Sequence, residues 1–198
     1  MSITQRFVLM AIVSSALLVT AVTSGAADAE QKVASPTAAP NRGGLPDSII
    51  VRMPGEPVTE AYDNSKARFL ITSPGWSMAE TEEAPGYKTP LHRHRSWDES
   101  FYVLAGTLTV HADGKTYELP PGAFMRVPRG TPHGQANYGS TPVRFLLDMK
   151  PGGFERHLKD RVALARTTPP EATDFPAKMA ALRRKNIDLI EIIGTWER

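Results

Sequence analysis

The chain has 198 residues, 41% of them hydrophobic and 22% charged, the composition of an ordinary globular domain with room for its own core. Its 23 basic and 21 acidic residues leave a net charge of +2, so no charged tail points to a nucleic acid or an anionic membrane as partner. Cysteine is absent, which excludes disulfides, thiolate metal sites and cysteine nucleophiles; any metal has to be held by Asp, Glu or some of the five histidines.

The first segment reads as an address. Arg6 carries a positive charge, Phe7 to Val22 is an almost purely apolar run, and small residues follow. Ala27-Asp28-Ala29 fits a cleavage site, with Ser24-Gly25-Ala26 as a second candidate. Charge, short apolar stretch and small residues together make residues 1–29 a secretory signal peptide of the general export route. The apolar run is shorter than the about 20 residues a bilayer core needs, so retention as a membrane anchor is the alternative and the only membrane contact expected. The mature protein is then expected in the periplasm or outside the cell.

Residues 30–47, with Pro36, Pro40, Gly43, Gly44 and Pro46, read as a flexible linker. After it come short apolar or alternating runs bounded by Gly, Pro, Asn or Asp: 49–53, 68–72, 76–81, 100–104, 107–111, 115–119, 123–127 and 143–149. Many short strands separated by turn signals predict an all-β sandwich or barrel over residues 48–153. Asp113-Gly114 is a hairpin turn by composition, because Gly tolerates positive φ. Leu104-Ala105-Gly106 and Pro120-Pro121-Gly122 mark two more turns.

Beyond Pro151-Gly152-Gly153 the period changes, and residues 154–198 read as a C-terminal helical extension. Phe154, Leu158, Val162 and Ala165 form an apolar stripe at helical spacing. Asp174 caps a second helix through about Lys185, with Pro176 in its first turn. Ile187–Ile193 fits a strand or a helix end.

Three histidines concentrate in two turn-bounded segments. Gly86 to Gly106 reads G-x5-H-x-H-x4-E-x6-G, and Gly122 to Asn137 reads G-x5-P-x-G-x2-H-x3-N. On an extended strand, residues two apart share a face, so His92 and His94 can reach one point while Arg93 turns away. Glu99 can return to that face, and His133 arrives from another strand. Three imidazoles and a carboxylate suit one divalent transition metal, Fe, Mn, Ni, Cu or Zn.

The two segments resemble the two motifs of the cupin superfamily at every defining position, and the resemblance covers roughly residues 65–150. It implies a jelly-roll barrel with His92, His94, Glu99 and His133 as metal ligands, and Gly86, Gly106, Gly122, Gly130 and Pro128 serving turns. The single-barrel length, the Pro151–Glu155 closure and the helical extension resemble the quercetin dioxygenase-like group. That resemblance implies an oxidoreductase of dioxygenase type acting on a small enolisable or phenolic substrate, with Glu99 both ligating and accepting the substrate proton. The alternatives are a non-redox metal-dependent isomerase, lyase or decarboxylase, and a small-ligand-binding protein without turnover. A homodimer is implied as well, since sheet edges need covering.

Other residues near the motifs have plainer expectations. Arg93, Arg95, Arg126 and Arg129 read as outer-face residues, and Phe101, Val103 and Phe145 as core. Tyr87, Trp97, Gln135 and Tyr138 are candidates for substrate contact. His111 and His157 are expected at the surface.

Overall fold

A computed structural model describes residues 43–198 except 47, 57, 58 and 63; the side chains of 59–62 are not described. The expected signal peptide, and the linker up to residue 42, lie outside the described residues. Among the described residues, no helix is long and apolar enough to cross a membrane.

The described chain forms eleven strands and two helices: β1 Thr59–Tyr62, β2 Ser65–Ser73, β3 Trp76–Glu83, β4 Leu91–Arg93, β5 Asp98–Ala105, β6 Leu108–Ala112, β7 Lys115–Leu119, β8 Phe124–Val127, β9 His133–Ala136, β10 Val143–Lys150, α1 Glu155–Thr167, α2 Phe175–Lys185 and β11 Glu191–Gly194. All strand pairs are antiparallel. One sheet has the order β1-β2-β3-β10-β5-β8, the other β11-β4-β9-β6-β7. Both contribute to one apolar core, Phe101, Val103, Val143 and Phe145 from the first and Leu108, Val110 and Ala112 from the second. Two antiparallel sheets around one core bear out the predicted all-β sandwich or barrel, and they are the jelly roll that the motif resemblance implies.

Alternation explains which residues turn inward. Along β3, Ser77, Ala79, Thr81 and Glu83 are buried while the residues between them are partly exposed. Along β10, Val143, Phe145, Leu147 and Met149 are buried in the same way. The β6–β7 hairpin closes through Asp113 and Gly114, both with positive φ, 50° and 75°, the geometry that matches the twist of paired strands. Gly130 also has positive φ, 80°, and its N–H donates to the His94 carbonyl at 2.7 Å. That bond ties the turn before β9 to the first histidine motif.

Two expectations change. Residues 49–53 form no strand; Ile49, Val51 and Met53 are all exposed. The run is mostly apolar, but no strand among the described residues pairs with it, and Pro54 and Gly55 break it. The 187–193 segment, open in sequence, resolves to strand: β11 pairs with β4, setting Ile192 opposite His92. Helices α1 and α2 fall where the sequence puts them, Asp174 occupying the N-cap of α2 without a side-chain capping bond.

Candidate metal centre

Four short pieces of backbone deliver the four expected ligands to one place. His92 lies in β4, His94 one residue past its end, Glu99 near the start of β5 and His133 at the start of β9. The pairing of β4 with β9 sets His92 directly opposite His133. One ligand atom from each of the four lies within 4.8 Å of the others, and every residue is at most 3% exposed. The ring centroids are 5.1 Å apart for His92–His94, 4.3 Å for His92–His133 and 5.3 Å for His94–His133.

The imidazoles are aimed by backbone carbonyls. His92 Nδ1 donates to Pro90 O at 2.8 Å, His133 Nδ1 to Thr131 O at 2.8 Å, and His94 Nδ1 to Leu189 O. With Nδ1 as the donor, Nε2 is the nitrogen that each ring turns to the interior, the orientation a metal requires. Leu189 belongs to the C-terminal extension, so the segment leading into β11 orients one ligand.

The donor set fits a cation. His94 Nε2 is buried with no hydrogen-bond partner. Glu99 Oε2 lies 2.6 Å from His133 Nε2 and 3.7 Å from His94 Nε2. Burial and the neighbouring rings push His92 down to about 3, and burial also lowers His94. Burial alone would raise the Glu99 carboxyl, but the surrounding imidazoles, His133 foremost, bring it down to about 2. Burial likewise opposes a charge on His133, yet the Glu99 carboxylate raises it overall. Without a metal, a proton shared between His133 and Glu99 offsets the buried negative charge; a divalent cation held by the four side chains would supply that positive charge instead.

His92 and Glu99 also line a cavity of about 120 Å³, whose other walls include residues of β2, β3, β9, β10, β11, α1 and α2. Leu147, Phe154, Val162 and Met179 supply apolar surface there, with Tyr87 and Gln135 as two of the expected contact residues. The other two expected contacts are placed elsewhere. Trp97 Nε1 donates to Gly152 O at 3.0 Å, and Tyr138 packs edge-on to Trp196. Phe101, Val103 and Phe145 are core, as expected.

The arginines near the motifs serve the scaffold. Arg93 and Arg95 both bind Glu191, clamping β11 to β4, and Arg126 and Arg129 both bind Asp98 beside Glu99. Asn137, the last residue of the second motif, is a clamp too: its Nδ2 donates to Glu83 O and Thr141 O, each at 2.9 Å. His111 is partly exposed and stacks on Trp196. His157 departs from expectation. It is buried, lines the cavity, and burial holds it down at about 3. It follows Phe154 by three residues and so borders the apolar stripe of α1 that faces the barrel.

Glu83 was not among the expected site residues. It lines the cavity fully buried, its Oε1 accepting from Gln135 Nε2 at 3.1 Å, and burial pushes it up to about 8. Thr89 Oγ1 in turn bonds Gln135 Oε1 at 3.0 Å. The inward alternation of β3 is the signal that points to Glu83; the expected strand stopped at Thr81, one inward position short.

Residues 79–149 match the cupin domain family. The chain carries a cupin domain. An uncharacterized protein of Methanocaldococcus jannaschii is 34% identical over 70 residues, 35% of this chain and 56% of its own. Quercetin 2,3-dioxygenase of Bacillus subtilis is 29% identical over 142 residues, 68% of this chain and 37% of its own. The chain thus spans well under two thirds of the length of either relative. The solved structure of KdgF from Halomonas sp. superposes with a TM-score of 0.50 at 18% identity, covering 55% of this chain and 99% of that one. At that identity the likeness shows the fold alone. All four of His92, His94, Glu99 and His133 fall within the matched residues, and together they form a group that could hold a metal ion.

Proposed function

We propose that the protein is an exported, metal-dependent dioxygenase, an oxidoreductase acting on a small enolisable or phenolic molecule. The observation that carries this reading is the position of the metal group. Two of its four ligands, His92 and Glu99, form part of the wall of a largely apolar cavity, so a substrate in that cavity can reach the centre. The match to quercetin 2,3-dioxygenase supports the reaction class.

When bound, a divalent ion supplies Lewis acidity, and Fe, Mn, Ni or Cu adds redox capacity. The rest falls to the chain. Leu147, Phe154 and Val162 exclude water from the substrate's apolar part. Glu99 is ionised and buried beside the three imidazoles, the nearest carboxylate to take a proton from a substrate hydroxyl. Its depressed pKa makes it a weak base, so it suits a hydroxyl that is already acidic, as an enol or a phenol is. The non-redox alternative, an isomerase, lyase or decarboxylase, uses the same pocket with the ion as Lewis acid alone.

Export rests on the 1–29 segment and places the mature protein in the periplasm or outside the cell. A homodimer is part of the same proposal: β8 ends the six-stranded sheet and carries Phe124, 65% exposed, on an edge that a second copy would cover. The test of function is oxygen consumption by protein loaded in turn with Fe, Mn, Ni, Cu and Zn, offered flavonols and other enolisable compounds. Uptake with a redox metal, absent with Zn, is the expected result. Conversion of a substrate without oxygen uptake supports the non-redox alternative and refutes the dioxygenase.

A further inference from the structure

Among the described residues, four buried side-chain polar atoms have no hydrogen-bond partner: Thr81 Oγ1, Glu83 Oε2, His94 Nε2 and His157 Nδ1. His94 belongs to the metal centre. The other three all line the cavity shared with His92 and Glu99. Thr81 is 5% exposed, Glu83 1% and His157 3%. They come from β3 and α1, elements that carry none of the four ligands. Folded chains rarely leave buried polar atoms unpaired, because each forfeits its hydrogen bond to water without return. Three on the walls of one cavity are a set of hydrogen-bonding positions awaiting partners.

We propose that Thr81, Glu83 and His157 form a second subsite of the cavity, one that hydrogen-bonds uncharged hydroxyl or carbonyl groups on a part of the substrate other than the part facing the metal centre. The proposal rests on the reading of the cavity as the site of a small enolisable or phenolic molecule, and adds how its second polar end is held.

The chemistry of the three groups selects the ligand. Gln135 Nε2 donates to Glu83 Oε1, so that oxygen acts as the carbonyl and Oε2 is left to carry the proton. Burial supports this, pushing Glu83 up to about 8 and His157 down to about 3, so both are uncharged at neutral pH. Glu83 then presents an O–H donor, Thr81 a hydroxyl that gives or accepts, and His157 a neutral ring nitrogen. That combination matches alcohols, phenols and ketones. The cations that also line the cavity, Lys88, Arg161 and Arg183, are all more exposed than these three groups.

The test uses metal-loaded full-length protein and two probes. Quercetin and 3-hydroxyflavone share the enolisable hydroxy-ketone, but only quercetin carries hydroxyls on its other rings. Calorimetric titration of the wild type is expected to show tighter binding of quercetin. Thr81→Val and His157→Leu should each shrink that preference about tenfold, one hydrogen bond's worth, while leaving 3-hydroxyflavone binding unchanged. Glu83→Gln keeps a donor and should keep most of the preference. A preference that survives both removals overturns the proposal. If neither probe binds the wild type, the flavonol-like substrate reading fails, and melting of the ligand-free proteins decides the subsite. Groups kept for a ligand weaken the empty fold, so Thr81→Val and His157→Leu should then raise Tm by about 2 °C or more. A fall in Tm in both assigns the three groups to the fold and overturns the subsite.

Discussion

Replacing Glu83 by glutamine keeps the shape and the bond from Gln135 but removes one titrating proton. In the folded protein burial lifts this carboxyl from 4.5 to about 8. Below pH 4.5 the folded and unfolded chains both hold the proton, so pH has no leverage through this group. Between 4.5 and 8 the unfolded chain has lost it and the folded chain retains it. The native state then binds more protons, and stability falls as pH rises. Above 8 both states are ionised and the loss levels off. The slope approaches about 1.4 kcal/mol per pH unit, so from pH 5 to pH 7 the wild type loses about 2–3 kcal/mol that the glutamine variant does not. Glu83 is 1% exposed, so solvent screening takes little from this figure. Urea unfolding of both metal-free proteins at pH 5, 6 and 7 reads it directly. Contributions from the histidines are common to both and cancel in the difference. The variant should match the wild type near pH 4.5 and gain on it steadily above. Stability curves that run parallel across this range refute the buried, protonated state of Glu83.

Two further substitutions probe how the scaffold holds the centre. Phe154→Ala removes a buried ring set edge-on to His94 at 5.2 Å, and should cost about 3–5 kcal/mol in urea unfolding as well as weaken metal binding; a loss under about 1 kcal/mol would mean the ring is not part of the packing. Gly134→Ala places a methyl against Trp196 Nε1 and the Pro90 carbonyl, next to His133, where the indole donates to Thr89 O at 2.9 Å. It should cost about 1–3 kcal/mol and shift the tryptophan emission as the indole is displaced; unchanged emission and stability would contradict the close approach.

β2, β3, β5, β6, β7, β8 and β10 each overlap an expected run bounded by turn residues. β3 and β10 are the clearest, because each alternates between core and a more exposed face along its length. β9 is buried at all four positions and shows no alternation, while β4 has only three residues. Both were reached through the histidine spacing alone. The failure at 49–53 shows the limit of composition: an apolar run becomes a strand only where another strand pairs with it, and Ile49, Val51 and Met53 stay exposed. The four candidate ligands were legible because H-x-H can set two imidazoles close together, and because the two turn-bounded segments resemble the cupin motifs, which imply Glu99 and the distant His133 as their companions. What lay outside the sequence reading is the wall that distant segments build. Leu189 orients His94 across 95 residues, and His157 meets Glu83 at one cavity although they lie on α1 and β3. Helix period gave the stripe of α1 but not what would lie beneath its border, so His157 read as a surface residue.

The most direct test of the account is metal content. The mature protein, purified without chelator or immobilised metal, should carry about one divalent transition metal per chain by elemental analysis. His94→Ala should lose most of that metal while its far-ultraviolet circular dichroism and cooperative unfolding persist, because the core between the sheets is apolar and does not depend on the ion. A wild-type chain that binds no metal after reloading with Fe, Mn, Ni, Cu and Zn, or a His94→Ala variant with full metal content, would contradict the assignment of the centre.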